Sequence, residues 1–374
     1  MKKQKISFNN INTYLVIALI IVVAIGLYFT LSVPAPKITL APAPKAIQVT
    51  LLGADCEDCF NASVAIDFLN QQSNINITDI KELKLAESKE LAEKYGIKKL
   101  PAVIVTGEIE NLTIPNFNST EDALIFAESP PPYYDVAAKR VKGRVTLTIL
   151  EDKTCDKCFD ISLIAQQLSQ VGVKVTSERR VDAKSTEGKE LIEQYKIEKI
   201  PTLIFNKEAM EYDVISDVWS QVGSVESDGK LILRIVNPPY LNVSANKVEG
   251  LVDITYLVDE TCTECYNASM FKNVLAQSFN MAFDKETTVD VSSTKGKQLV
   301  KKYQIELVPT TILSSDASAY PTVAQAWTQA GTIEKDGTFV FRNVNLLQNQ
   351  AYKNITSGNV IGLEEAEISI PDKE

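Results

Sequence analysis

The sequence predicts an α/β chain of three tandem domains, and two observations carry that prediction. One small constellation recurs three times: Cys56-Glu57-Asp58-Cys59, Cys155-Asp156-Lys157-Cys158 and Cys262-Thr263-Glu264-Cys265. Each copy is followed by a proline in an apolar stretch, Pro101, Pro201 and Pro309, at separations of 45, 46 and 47 residues. The repeat period of about 100 residues exceeds that of solenoids, so each copy is a complete domain and not one layer of a stack. All six cysteines lie in these pairs. A chain that keeps cysteine nowhere else keeps it for the chemistry of vicinal thiols.

The elements of each copy follow in order. Alternating runs from Ile47 to Leu52, Val145 to Leu150 and Val252 to Leu257 lead into the cysteine pairs as half-buried strands do. A helical stretch, such as residues 185–194, then precedes Tyr95, Tyr195 and Tyr303, each six residues before its proline. A β-prone run such as Thr202-Leu-Ile-Phe205 follows the proline. Copies two and three share a further stretch, from Trp219 to Arg234 and from Trp327 to Arg342. Its Asp-Gly pairs read as hairpin turns, and its tryptophans as core residues that begin the hairpins. The first copy lacks both and is the divergent one. Each copy closes on a tyrosine and a glycine ten residues apart: Tyr133 and Gly143, Tyr240 and Gly250, Tyr352 and Gly362. The prolines at 130–132 and 238–239 read as linkers. These signals place domains at 46–142, 143–249 and 250–362, with a short acidic tail at 363–374.

The first 33 residues differ from the rest. Lys2, Lys3 and Lys5 precede an uncharged, apolar run over residues 11–33. Spanning a bilayer takes about 20 apolar residues. The apolar core of a signal peptide is about 7–15 residues and ends at a small-residue cleavage site. The longer run without such a site predicts an uncleaved transmembrane anchor in the lipid bilayer. The preceding lysines put residue 1 in the cytoplasm and residues 34–374 outside it. Four prolines make residues 34–45 an extended stalk. Seven Asn-x-Ser/Thr sequons, at Asn61, Asn76, Asn111, Asn118, Asn242, Asn267 and Asn354, all follow the run, as an extracytoplasmic, oxidising location allows.

Composition narrows the chemistry. Histidine is absent, which removes Ser-His and Cys-His catalysis and most zinc and copper sites. A net charge of −10 argues against nucleic-acid binding and is otherwise a matter of solubility.

The order strand, Cys-x-x-Cys, helix, strand, helix, proline-led strand resembles the thioredoxin family over nearly all of each copy. The resemblance implies a mixed central sheet flanked by helices, and protein disulfide oxidoreductase or isomerase activity. It implies that Cys56, Cys155 and Cys262 are attacking thiols at helix N-termini, where free N–H groups and the dipole favour thiolate. Cys59, Cys158 and Cys265, one turn on, are then the resolving thiols. Pro101, Pro201 and Pro309 are implied to be cis and opposite the disulfides. The backbone of the preceding Leu100, Ile200 and Val308 is implied to pair with an extended substrate. No cofactor is implied beyond the redox-active disulfides Cys56–Cys59, Cys155–Cys158 and Cys262–Cys265. Phe60, Phe159 and Tyr266 are expected to pack the helix onto the sheet, and Lys98-Lys99 to form a solvated face.

The chain departs from the family pattern in places. Asp55, Thr154 and Thr261 stand where the family has tryptophan, and Thr50, Ile149 and Tyr256 where it often has a buried acid. Between the cysteines, Glu57 and Asp58 add two negative charges, Asp156 and Lys157 cancel, and Glu264 adds one. Negative neighbours disfavour thiolate. No site is therefore expected to be a strong oxidant, and the first is expected to be the most reducing. The same acids also suit a first helical turn, and Thr261-x-x-Glu264 matches a capping box.

Three functional classes follow. The first is a membrane-anchored, extracytoplasmic thiol–disulfide oxidoreductase acting on exported proteins with cysteines, with a membrane thiol reductant or oxidant as partner. The second is a non-catalytic scaffold stapled by structural disulfides. The third, a four-thiolate zinc site, calls for pairs about 15–20 residues apart, not about 100.

Overall fold

The computed structural model of the protein describes residues 43–347 and 350–362. The anchor at 11–33, most of the stalk and the tail at 363–374 lie outside the described residues.

The first unit opens with β1 (Lys45–Leu52), which takes in the last residue of the expected stalk. Then come α1 (Ser63–Asn70), β2 (Ile75–Leu83), α2 (Leu85–Tyr95), β3 (Lys99–Leu100) and β4 (Ala102–Gly107). A hairpin of β5 (Asn118–Ser119) and β6 (Leu124–Phe126) completes the main sheet, in the order β2-β1-β4-β6-β5. β1 runs parallel to β2 and antiparallel to β4. This parallel β-α-β half joined to an antiparallel half is the thioredoxin-like arrangement. It recurs around the central strands Val145–Glu151 and Leu251–Val258. The protein is therefore mixed α/β, with three similar sheet-plus-helix units.

Period-two alternation divides the core between the two sheet faces. Ile47, Val49, Val103 and Val105 pack with Leu69 of α1. Leu52, Ala102 and Ile104 pack with Ala92 of α2. Trp219 and Trp327 are 5% and 3% exposed, so they are core residues. They lie on the helices Asp213–Val222 and Pro321–Ala330, not in the hairpins that follow, where four-residue spacing sets them on one buried face with Ile215 and Val323. The first unit has no such helix, and the loop at 108–117 fills the place with buried Leu112 and Ile114.

The proline-rich stretches are not linkers. In the first two units they lead into a closing hairpin that completes a second, three-stranded sheet, which the third unit forms without them. In the first unit β7 (Tyr133–Asp135) pairs with β3 and with β8 (Arg140–Lys142). Pro131–Pro132 and Pro238–Pro239 are cis, and their carbonyls accept hydrogen bonds from Phe60 and Phe159. Prolines read as breakers because they cannot donate, yet their carbonyls accept freely. Along the chain, one residue joins each unit to the next. Gly143 has φ +84°, and a Cβ there would lie 2.4 Å from Pro131 Cβ; Gly250 repeats this against Pro238.

Candidate functional site

Each cysteine pair forms a disulfide, Cys56–Cys59, Cys155–Cys158 and Cys262–Cys265, with Cα atoms 5.3, 5.4 and 5.4 Å apart. All six cysteines are half-buried. The peptide bonds Leu100–Pro101, Ile200–Pro201 and Val308–Pro309 are cis. In the third unit Cys265 Sγ lies 4.0 Å from the Val308 carbonyl. In the first, Cys56, Cys59 and Pro101 share an open cleft of about 790 Å³ with Asn61 and Lys84.

The expected helix N-termini are not at the cysteines. The helices begin at Ser63, Ser162 and Met270, and the cysteines sit in turns before them. Two bonds impose the break. The amides of Phe60, Phe159 and Tyr266 donate to Pro132, Pro239 and Ala351 of the closing hairpin segments at 3.1, 2.7 and 2.9 Å. The side chains of Asn61, Asp160 and Asn267 then accept from Ser63, Ser162 and Ser269 amides at 3.0 Å. The thiols consequently lose the first-turn N–H groups and dipole that were to favour thiolate. Thr261 and Glu264 form no capping box. The Thr261 hydroxyl instead donates to Asp259 Oδ1 at 2.6 Å and accepts from Lys353 Nζ at 3.1 Å.

The aromatic residues after the second cysteine pack as expected. Phe60 lies 5.9 Å from Phe126, Phe159 joins the second core, and Tyr266 is buried with its hydroxyl donating to the Pro309 carbonyl at 2.6 Å. Lys99 does not belong to a solvated face. Its Nζ sits 4.9 Å from the Tyr133 ring centroid, because β3 pairs with β7 at the edge of the second sheet. At the position of the family's buried acid, Ile149 is fully buried and the Tyr256 hydroxyl donates to Glu286 at 3.0 Å.

The residues before the cis-prolines carry a correction. Leu100, Ile200 and Val308 are each at most 1% exposed, and each is paired with the chain's own closing strand: Leu100 with Tyr134, Ile200 with Leu241, Val308 with Lys353. Val136 N donates to Lys98 O at 3.0 Å. Antiparallel alternation then makes Leu100 and Tyr134 exchange both backbone bonds. The equivalent bonds Val243 N to Glu198 O and Ile355 N to Glu306 O fix the other two. No free backbone donor or acceptor remains at these residues for a substrate strand.

The charges differ between sites. At the first, Asp58 Oδ1 lies 3.2 Å from Cys56 Sγ, yet Asp58 does not stand alone. Arg144, from the second unit, grips it with Nε and Nη2 at 2.9 and 2.6 Å, and Nη2 lies 3.7 Å from Cys56 Sγ. That guanidinium holds the Asp58 carboxyl below the usual range. The premise that two unopposed acids make this site the most reducing therefore fails. At the second site Lys157 pairs with Asp284 of the third unit, and Lys184 with Asp152 at 3.1 Å. At the third Lys353 holds Asp259 at 2.7 Å. Arg144 escaped sequence reasoning because 86 residues separate it from Asp58 and only the fold joins them. Among the described residues no cluster of three or more carboxylates or cysteines could hold a metal ion, and no helix is long and apolar enough to cross a membrane.

No family model and no curated protein matches the chain. A crystal structure of ERdj5 aligns at 13% identity over 79% of this chain and 43% of that one, with a TM-score of 0.15. Human ERp44 aligns at 10% identity over 80% and 92%, with a TM-score of 0.15. An alkylhydroperoxide reductase of Enterococcus faecalis aligns at 22% over 46% and 81%, with a TM-score of 0.16. The chain spans less than half of the ERdj5 chain it matches. At such TM-scores the thioredoxin-like assignment rests on strand order and connection within each unit.

Proposed function

We propose that the chain is a thiol–disulfide oxidoreductase with three exchange centres, Cys56–Cys59, Cys155–Cys158 and Cys262–Cys265, with Pro101, Pro201 and Pro309 against them. One observation carries the proposal: every cysteine is committed to a bonded pair of half-buried residues, in the same turn of three thioredoxin-like units. A disulfide kept only as a staple gains little from closing so short a loop. In exchange, the first cysteine's thiolate displaces one sulfur of a partner disulfide, and the second cysteine displaces the other. We place the chain in a membrane through residues 11–33, with the three units outside the cytoplasm, exported proteins as substrates and a membrane thiol reductant or oxidant as redox partner. The domain limits 46–142, 143–249 and 250–362 belong to this proposal.

A scaffold role is the second reading, favoured by the saturated backbone of Leu100, Ile200 and Val308. Redox titration of the three pairs, read separately by alkylation and peptide mass spectrometry, decides between them. Potentials between about −120 and −270 mV mark exchange centres; pairs still oxidised below about −300 mV mark structural disulfides.

A further inference from the structure

Arg144 directly follows the junction glycine and reaches back over the first unit's disulfide turn. Its position is held from both sides. Gly143 N donates to Glu208 Oε2 at 2.8 Å, and the Gly143 carbonyl accepts from the Tyr212 hydroxyl at 2.7 Å. The guanidinium fork is fixed bidentately by Asp58, which leaves one N–H edge against Cys56 Sγ. The second junction has no such group, because Leu251 follows Gly250.

We propose that Arg144 is a built-in electrostatic partner of Cys56, lent by the second unit, which holds the Cys56 sulfur as thiolate whenever the first disulfide is open. The inference rests on the exchange chemistry proposed above. In that chemistry the Cys56 thiolate attacks a partner disulfide. A Cys56–partner S–S bond forms, the partner's own S–S bond breaks, and its departing sulfur leaves as thiolate. Cys59 then loses its proton to solvent and attacks Cys56. The Cys56–Cys59 bond reforms, the second partner sulfur leaves, and two electrons have passed to the partner. In either direction the reduced turn carries negative charge on Cys56, where the Arg144 guanidinium meets it. Asp58 opposes that charge but is itself neutralised by the fork. The other charged groups around the turn are Asp55 and Glu57 on it, Glu82 and Lys84 across the cleft, and Lys174 beyond Asp58. Arg144 is the cation in contact with the sulfur.

The test is the pH profile of Cys56 alkylation in the reduced full chain, with Cys155 and Cys262 followed as internal controls. Arg144→Gln removes the cation and frees Asp58, so the Cys56 midpoint rises by about one pH unit, a tenfold loss of thiolate below it. Asp58→Asn leaves the guanidinium unopposed, so the midpoint falls. Arg144→Lys keeps the charge but loses the fork, so its midpoint rises by less than that of Arg144→Gln. A clamp that only shapes the turn would move both single variants in the same direction, since each breaks the same ion pair. Shifts of the same sign, or none beyond about 0.3 unit for Arg144→Gln, overturn the proposal. Failure of the oxidoreductase proposal looks different: the pair stays oxidised below about −300 mV, while the alkylation midpoints still move in opposite directions.

Discussion

Tyr212→Phe removes one oxygen and almost no volume, from a side chain 5% exposed. That oxygen donates to the Gly143 carbonyl at 2.7 Å and accepts from the Lys174 amide at 3.0 Å. The carbonyl bond is buried, so its acceptor is left without a partner; the amide, on the exposed Lys174, can find water. An orphaned buried carbonyl costs about 1–3 kcal/mol, and a replaced amide bond adds little, giving an expected loss of about 2 kcal/mol. The chain has two tryptophans, and Trp219 packs edge-on at 5.6 Å to Phe205 inside the second unit. In a Trp327→Phe background, urea unfolding followed by fluorescence therefore reports that unit alone. The midpoint should fall with an unchanged slope. In a Trp219→Phe background, which reports the third unit, Tyr320→Phe, whose hydroxyl bridges the Gly250 carbonyl and the Ala282 amide at 2.8 and 2.9 Å, should cost the same. A loss below about 0.5 kcal/mol in either would show that the junction carbonyl is not sealed from solvent, and the accounting would be wrong.

Other expectations concern the junction, a buried phenol and a surface pair. Gly143→Ala should cost more than Gly172→Ala in thermal melts: both have φ near +85°, worth about 1–2 kcal/mol for an L-residue, but only the first drives a Cβ to 2.4 Å from Pro131 Cβ. Equal losses would mean that the proline segment yields freely. Burial and Asp228 push the Tyr195 hydroxyl up to about 12, against about 10 unfolded. The folded chain keeps that proton where the unfolded chain loses it, so stability is present below about pH 10 and falls as pH rises toward about 12. Phenolate absorbance should show several tyrosines ionising late, Tyr195 among them, and Tyr195→Phe should lower that late amplitude by one tyrosine. Lys157→Ala breaks a pair whose side chains are 51% and 33% exposed, so it should change stability by less than about 1 kcal/mol by urea titration.

Much of the fold could be read from pattern. The alternation of Ile47, Val49 and Leu51 and the all-buried run after Pro101 are one-dimensional signals, and the copies reinforce one another. Two things were out of reach. The start of α1 depends on the Phe60 amide, which is taken by a proline carbonyl more than seventy residues away. Helical propensity carries no trace of such a bond. Site electrostatics likewise read Glu57 and Asp58 as local charges, while Arg144 sits across a domain junction. Tyr212 and Tyr320 were visible as matched positions seven residues before the tryptophans, but nothing local tells a bridging phenol from an ordinary core ring.

The closing hairpin sets the terms on which another protein can approach. Its strand occupies the berth beside each cis-proline where an extended chain would lie down. What stays outside it is a half-buried cysteine pair on a turn, with no rail beside it for a limp, unfolded segment to follow. Under the exchange chemistry proposed above, a partner docking here without displacing the hairpin would have to carry its disulfide on a projecting, already shaped surface.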